Sequence, residues 1–359
     1  MSRPQPDLLL LHEIFRAARN NLSNETWDYL VGGAETETTL KRNRQALDSL
    51  AFRPRVLRDV SGVDCSTELL GQRLRIPVFL APIGSLQDLH RDAGAAAARA
   101  ARQFGTLTML SSSSAPGLEA TAAAADGAKI FQLYVRGDRD YVDDHFRRAI
   151  DAGYIAVCLT VDLDRYGRRE RDLSRRYVTT ARQGVTGDEH QVRFSWDDVK
   201  RIKDTYAVPL ILKGIATAED AAIAVEHGVE GIYVSNHGGR QLDHGRGCIE
   251  ILREVVTAVA ARASVLVDGG FLRGTDIVKA MALGADAVGV GRLFGYGIAA
   301  AGEHGVERVL EILETEIVIA LGLLGVNDWQ SLDASYVCTA PPVGVASVSS
   351  AFPLLQEDY

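Results

Sequence analysis

Two groups capable of chemistry stand three residues apart in the stretch SNHGGRQLD, residues 235–243: the imidazole of His237 and the guanidinium of Arg240. They follow directly on the apolar run Gly231–Val234. A guanidinium holds a carboxylate through two parallel N–H donors. An imidazole beside it takes a proton from the neighbouring carbon or hydroxyl. A 2-hydroxy acid carries both features on adjacent carbons, so the pair suits that class of substrate. Lys213, in the run PLILKGI, can set positive charge against an electron-accepting ring. No Gly-x-Gly-x-x-Gly fingerprint follows an early strand, which argues for a redox partner other than a nicotinamide.

The same polarity recurs at the ends of other apolar runs. Ser111 and Ser112 close one, Gln132 and Tyr134 another, and Thr160 and Asp162 a third. Asp268-Gly269-Gly270 and Gly291-Arg292 end the last two. Taken singly, each has an ordinary structural explanation: a helix cap, a solvated charge, a tyrosine with its hydroxyl satisfied. Their convergence does not. Glycines let backbone amides approach a phosphate closely, and Arg292 adds charge and a forked donor.

Eight apolar runs must position these groups. They cover 76–82, 106–112, 128–135, 155–162, 209–215, 231–237, 264–270 and 286–292. Near-continuous apolar strands imply burial on both faces, as in a parallel sheet. The stretches between them have helical spacing and stop at Gly. Eight alternating units predict a (β/α)8 TIM barrel, with chemistry at the C-terminal ends of the strands and a phosphate site in the last two loops. A doubly wound open sheet gives the same local pattern, and the count of eight favours the barrel. Residues 1–75 read as a helical and strand-like extension capping a barrel of 76–325, with helix over 293–325. The tail over 326–359 has no clear period after Thr339 and is expected to lie loosely on the surface.

The chain has 359 residues, 47% of them hydrophobic and 24% charged, with a net charge of −8. That suits a large folded core and argues against nucleic acid as a partner. No run of 18 apolar residues is present, so no membrane span is expected. Cys65, Cys158, Cys248 and Cys338 are widely spaced, which points away from a disulfide framework or a metal site and towards a cytoplasmic location.

With these motifs in view, SNHGGRQLD, FQLYV, LTVD, GRRERD, LKG, DGG and WDYLVGGAE resemble the FMN-dependent 2-hydroxy acid oxidases and dehydrogenases, from about Trp27 to about Leu324. That family includes glycolate oxidase, lactate oxidase and mandelate dehydrogenase. The resemblance implies FMN as cofactor, a 2-hydroxy acid as substrate, O2 as acceptor in the oxidases, and a homo-oligomer, commonly a tetramer. It implies His237 as base, Asp162 as its support, and Arg169 and Arg240 on the substrate carboxylate with help from Tyr29 and Tyr134. Lys213 would lie near flavin N1 and the C2 carbonyl, where negative charge builds on reduction. Gln132, Thr160, Ser111 and Ser235 would bond the isoalloxazine or ribityl region, and the backbone of Pro82, Ile83 and Gly84 would lie near N5. Asp268, Gly269, Gly270, Gly291 and Arg292 would bind the phosphate end.

Departures from the family pattern carry their own expectations. Ser113 stands where glycolate oxidase has Trp, and Gly84 where oxidases more often have Ala; both imply a larger, mandelate-like substrate. Leu272 replaces an arginine after DGG, leaving Arg273 as the candidate substitute at the phosphate. The segment from Arg171 to Ser195 is shorter than the family's lid-bearing loop. The Gly84 position resembles mandelate dehydrogenase, so a dehydrogenase with another acceptor stands beside the oxidase. A flavin-binding barrel without turnover leaves the two-Arg, two-Tyr set without a use. So does a phosphosugar isomerase.

Overall fold

The computed structural model describes residues 7–183 and 191–357. Eight parallel strands close into a barrel: β1 (Val78–Leu80), β2 (Thr108–Ser111), β3 (Lys129–Leu133), β4 (Ala156–Thr160), β5 (Leu210–Ile215), β6 (Gly231–Val234), β7 (Ser264–Val267) and β8 (Ala287–Val290). Each pairs with its sequence neighbour, and β8 returns to β1 through Val288 opposite Val78 and Val290 opposite Leu80. All eight lie within the apolar runs that predict them.

Alternate residues of each strand face opposite ways. Phe79, Met109, Ile130, Cys158, Ile211, Tyr233 and Leu266 fill the barrel interior, together with Leu69 and Leu74 of the hairpin Thr67–Leu69/Gln72–Leu74. That hairpin is part of the strand-like character expected of the extension. The other strand faces pack on the surrounding helices in a second, larger core. Local chemistry sets the helix starts: Asp138 accepts from the Tyr141 amide and Thr217 from the Asp220 amide, as N-caps do. The last helix runs Arg292–Leu324 but breaks at Ala301-Gly302, where Gly302 has φ +60°.

The N-terminal extension folds as helices Leu11–Asn21, Asn24–Val31 and Thr38–Asp48. It docks through buried polar contacts. Arg44 forks onto Asp276, at 2.7 and 2.8 Å, and onto Asp48. Asn43 and Asn236 exchange side-chain amide hydrogen bonds of 2.9 and 2.8 Å. Asp243, the last residue of SNHGGRQLD, accepts from the Thr36 and Thr39 amides and the Thr36 hydroxyl. The signature stretch is thereby clamped to the extension that covers it.

The tail after Thr339 lies largely at or near the surface, as expected, but it is anchored at one point. Val337–Thr339 pairs with Leu50–Phe52, and Phe352 is completely buried. An aromatic ring able to enter the core outweighs the lack of period in the residues before it.

Removing one partner of a buried ion pair leaves an unpaired charge inside, at a cost of about 3–5 kcal/mol. Asp276→Ala therefore lowers the thermal midpoint strongly. Asp204→Ala, which breaks the exposed Lys200–Asp204 pair, leaves it nearly unchanged. Thermal unfolding of the two variants checks the contrast; equal shifts would contradict it.

Candidate active site

The strand ends converge on one cavity. Its lining includes Pro82, Ile83 and Gly84 after β1, Ser113 after β2, Tyr134 after β3 and Lys213 from β5. His237 and Arg240 enter after β6, Asp268-Gly269-Gly270 after β7, and Gly291-Arg292 after β8. Tyr29 arrives from the extension and Arg169 from the β4 loop. Behind this wall stand Asp162, Ser235, Ser111, Gln132 and Thr160, each joined to neighbours by hydrogen bonds.

The turn carrying His237 is unusual. His237, Gly238 and Gly239 take φ of +58°, +63° and +75° in succession. A side chain at φ near +60° is disfavoured outside glycine and marks a position held by its surroundings. At Gly238 a Cβ would sit 2.6 Å from Arg292 Nη1, so only glycine lets that guanidinium approach. His237 is held at both nitrogens. Nδ1 lies 3.1 Å from Asp162 Oδ1 and Nε2 lies 3.3 Å from the Tyr134 hydroxyl. A carboxylate accepts only, so Nδ1 carries the proton and Nε2 is the free base, accepting from Tyr134. Burial pushes the His237 pKa below its ordinary 6.5, Lys213 and Arg169 add to this, and Asp162 opposes it. Burial alone would raise the Asp162 carboxyl, but His237 and Lys213 outweigh it and keep it ionised. Burial raises the Tyr134 phenol to about 12, so it stays protonated.

Arg169 is buried and Arg240 half-buried, and neither makes an ion pair among the described residues, although Asp172 lies near enough to act on both. Arg240 Nη1 donates to the carbonyls of Tyr29 (2.6 Å) and Gly32 (2.9 Å), its plane lies 4.6 Å over the Tyr29 ring, and its Nη2 is buried without a partner. Arg169 Nη1 bonds the Tyr166 hydroxyl, and burial with the nearby Arg240 charge pushes its pKa down to about 10. A guanidinium whose pKa is lowered by burial and by a neighbouring cation makes a receptor for an anion.

Lys213 donates to Ser235 Oγ at 2.9 Å and lies 3.7 Å from Asp268. Burial works against its charge, but Asp268 and Asp162 prevail and hold it protonated. Gln132 donates to Thr160 at 2.8 Å and keeps an unpartnered buried Oε1. Gly269 and Gly270 take φ of +101° and +87°, leaving a loop without side chains in the wall of the cavity that Arg292 also lines. Arg292 donates to the carbonyls of Leu30, Gly32 and Gly238, and burial pushes its pKa down to about 10. An orphaned amide oxygen for a ring N–H, a buried ammonium and a glycine loop with a guanidinium fit a flavin mononucleotide.

The comparisons agree. A family profile described as FMN-dependent dehydrogenase matches residues 18–339. This chain belongs to the FMN-dependent 2-hydroxy acid oxidase and dehydrogenase family. It is 40% identical over 344 residues to glycolate oxidase 1 of Oryza sativa subsp. indica, covering 90% of this chain and 93% of the relative. It is 37% identical over 349 residues to glycolate oxidase of Spinacia oleracea, covering 91% and 95%. Among solved structures it is similar to an active chimera of (S)-mandelate dehydrogenase, with TM-score 0.88, 34% identity and 93% and 100% coverage. A mandelate oxidase with a bound difluoro-hydroxy acid gives TM-score 0.86, 40% identity and 93% and 100% coverage.

As a member of this family the enzyme uses FMN to oxidise a 2-hydroxy acid. Arg273 is the one proposed contact that the fold takes elsewhere. Its guanidinium pairs with Glu316, which also accepts from the Gly274 amide at 2.7 Å, so it points away from the cavity. Arg44 was not legible as a lining residue, because nothing in its local sequence separates it from an exposed helical arginine. Of the short segment after Arg171, Thr179, Ala181 and Arg182 line the cavity, and residues 184–190 lie outside the described residues. Arg182 stacks on the Tyr166 ring at 3.4 Å, so that ring belongs to the cavity wall.

Because His237 must be neutral to act as base and its pKa is lowered, the acid limb of kcat/KM falls below pH 6.5. Asp162→Asn removes the charge that raises it, so the limb moves to lower pH as the rate drops. An acid limb above 6.5 in the wild type would contradict the assignment. His237→Ala keeps FMN bound but slows flavin reduction by about 10²–10⁴-fold or more, read by anaerobic stopped flow.

Proposed function

We propose that the enzyme oxidises an aryl or otherwise bulky (S)-2-hydroxy acid, mandelate-like, to the 2-oxo acid, with O2 as acceptor and H2O2 as product. The observation that carries the size of the substrate is the meeting of Gly84 and Ser113. A Cβ at Gly84 would lie 3.5 Å from Ser113 Cβ. The two small residues thus share one face of the cavity, and the Ser113 hydroxyl is buried with no partner. A phenyl ring placed there gains about 1.5–3 kcal/mol from burial, which glycolate cannot. The mandelate enzymes among the similar structures support this reading, while the glycolate oxidases among the sequence relatives favour a small substrate.

Bound between Arg240 Nη2 and the Arg169 guanidinium, the substrate carboxylate bonds to both, its single charge offsetting one of the two. That places the α-hydroxyl and Cα towards Tyr134 and His237. FMN, when bound, supplies the two-electron acceptor. His237 Nε2 takes one proton, from either Cα or the hydroxyl, and Asp162 stabilises the resulting imidazolium. The substrate's two electrons and second hydrogen leave towards the acceptor, as hydride from Cα when the hydroxyl is deprotonated, or as electrons followed by the hydroxyl proton when Cα is. Lys213 offsets negative charge on the ring side. Dioxygen then takes up two electrons and two protons to form H2O2. Gly84, which resembles mandelate dehydrogenase at a position where oxidases more often have Ala, favours the second reading, a dehydrogenase with another acceptor.

Ser113→Trp refills the space, so kcat/KM for mandelate falls by about 10–100-fold relative to glycolate, the burial energy converted to a rate ratio. A wild type that prefers glycolate, or an unchanged ratio in the variant, would contradict the enlarged site. Substrate-reduced enzyme mixed with O2 should reoxidise rapidly with stoichiometric peroxide; slow reoxidation would favour the dehydrogenase.

A further inference from the structure

The family match ends at residue 339, yet the chain continues and comes back to the cofactor cavity. Ser347 and Val348 line the same cavity as Arg44, Gly270, Leu272 and Arg292. We propose that the C-terminal segment 344–352 latches the phosphate end of the FMN cavity and that the Ser347 hydroxyl donates a hydrogen bond to the cofactor phosphate.

Two contacts hold this segment in place. Phe352 is fully buried, its ring 5.6 Å from His12 in an edge contact and 5.3 Å from Phe15. One residue earlier, the Ala351 carbonyl accepts from Arg273 Nη1 at 3.2 Å. Arg273 is itself fixed by Glu316 and directly follows Leu272. The arginine drawn away from the cavity therefore holds the tail against the phosphate loop. Between the anchor and the cavity the chain turns tightly: the Ser350 amide and hydroxyl both donate to the Ser347 carbonyl, at 3.2 and 2.9 Å, and the Phe352 amide donates to the Ser349 carbonyl at 2.9 Å. Ser347 is thus one turn from a fixed point.

The wall it joins is short of charged side-chain donors. Leu272 is apolar and buried. The charge of Arg44 is already met by Asp276 and Asp48. That leaves Arg292 as the cation of this wall with no carboxylate beside it among the described residues. A phosphate dianion carries three acceptor oxygens and draws further donors. The Ser347 hydroxyl has only a long 3.3 Å contact to Ser349 Oγ, in which either oxygen can donate, so it is available to turn.

The test uses full-length holoprotein, wild type and Ser347→Ala, Ser347→Thr and Phe352→Ala variants. Free-flavin fluorescence on serial dilution gives the FMN dissociation constant, and the 31P resonance of the bound cofactor reports on its phosphate. The flavin content of the wild type tests the family assignment separately. Losing a hydrogen bond to a charged group raises the dissociation constant about tenfold or more. Ser347→Ala and Phe352→Ala should both show this and shift the 31P resonance, while Ser347→Thr keeps wild-type values. Ser347→Ala leaves the Phe352 anchor intact, so misfolding does not mask the result. An unmoved 31P resonance in Ser347→Ala would overturn the proposal, including the case in which only Phe352→Ala weakens binding, since the tail would then act by packing alone.

Discussion

Three guanidinium groups, those of Arg169, Arg240 and Arg292, line the cavity at the mouth of this barrel and make no ion pair among the described residues. A buried charge without a counter-ion is costly, and the chain offsets it with oriented carbonyls. The carbonyls of Tyr29, Leu30 and Gly32 serve Arg240 and Arg292, with Gly238 adding a fourth. Most of that compensation comes from one short piece of the N-terminal extension. The extension must therefore be docked accurately, and this explains its clamps: Asp243 on the amides of Thr36 and Thr39, the Asn43–Asn236 exchange, and Arg44 on Asp276.

Partial compensation divides the site by charge. Carbonyl dipoles stabilise a guanidinium without cancelling it, so the anion-binding power survives for the ligand. The imidazole is kept neutral first by burial, with the same positive field adding to it, while the ionised Asp162 holds its tautomer. Lys213 stays charged because Asp268 lies beneath it. One arrangement thus supplies a carboxylate clamp, a free base and a positively biased ring site. Each depends on burial making electrostatic interactions strong.

Much of this was legible in the sequence. The eight strands are short and apolar, and their identity depends on local pattern, which a sequence displays directly. The convergence of His237, Arg240, Lys213 and Asp162 follows from where strands end in such a barrel. What escaped was long-range and side-chain-specific. Arg44 reaches Asp276 across 232 positions of sequence, and no local spacing announces it. Arg273 reads as a cation after a glycine pair, but Glu316, 43 positions on, claims it. The tail lacks period because its burial rests on one ring, Phe352, and on turns among serines, whose pattern resembles that of an exposed loop.

The central claim is that two unneutralised guanidiniums exist to bind the substrate carboxylate. Anaerobic flavin reduction by mandelate and by its methyl ester, compared by stopped flow on the wild-type enzyme, tests it most directly. The ester keeps the phenyl group, the α-hydroxyl and the Cα proton but carries no charge. Loss of two charge-assisted contacts, at about 1.5–3 kcal/mol each, predicts that the ester reduces the flavin at least about 100-fold less efficiently. Comparable efficiency for acid and ester would contradict the account.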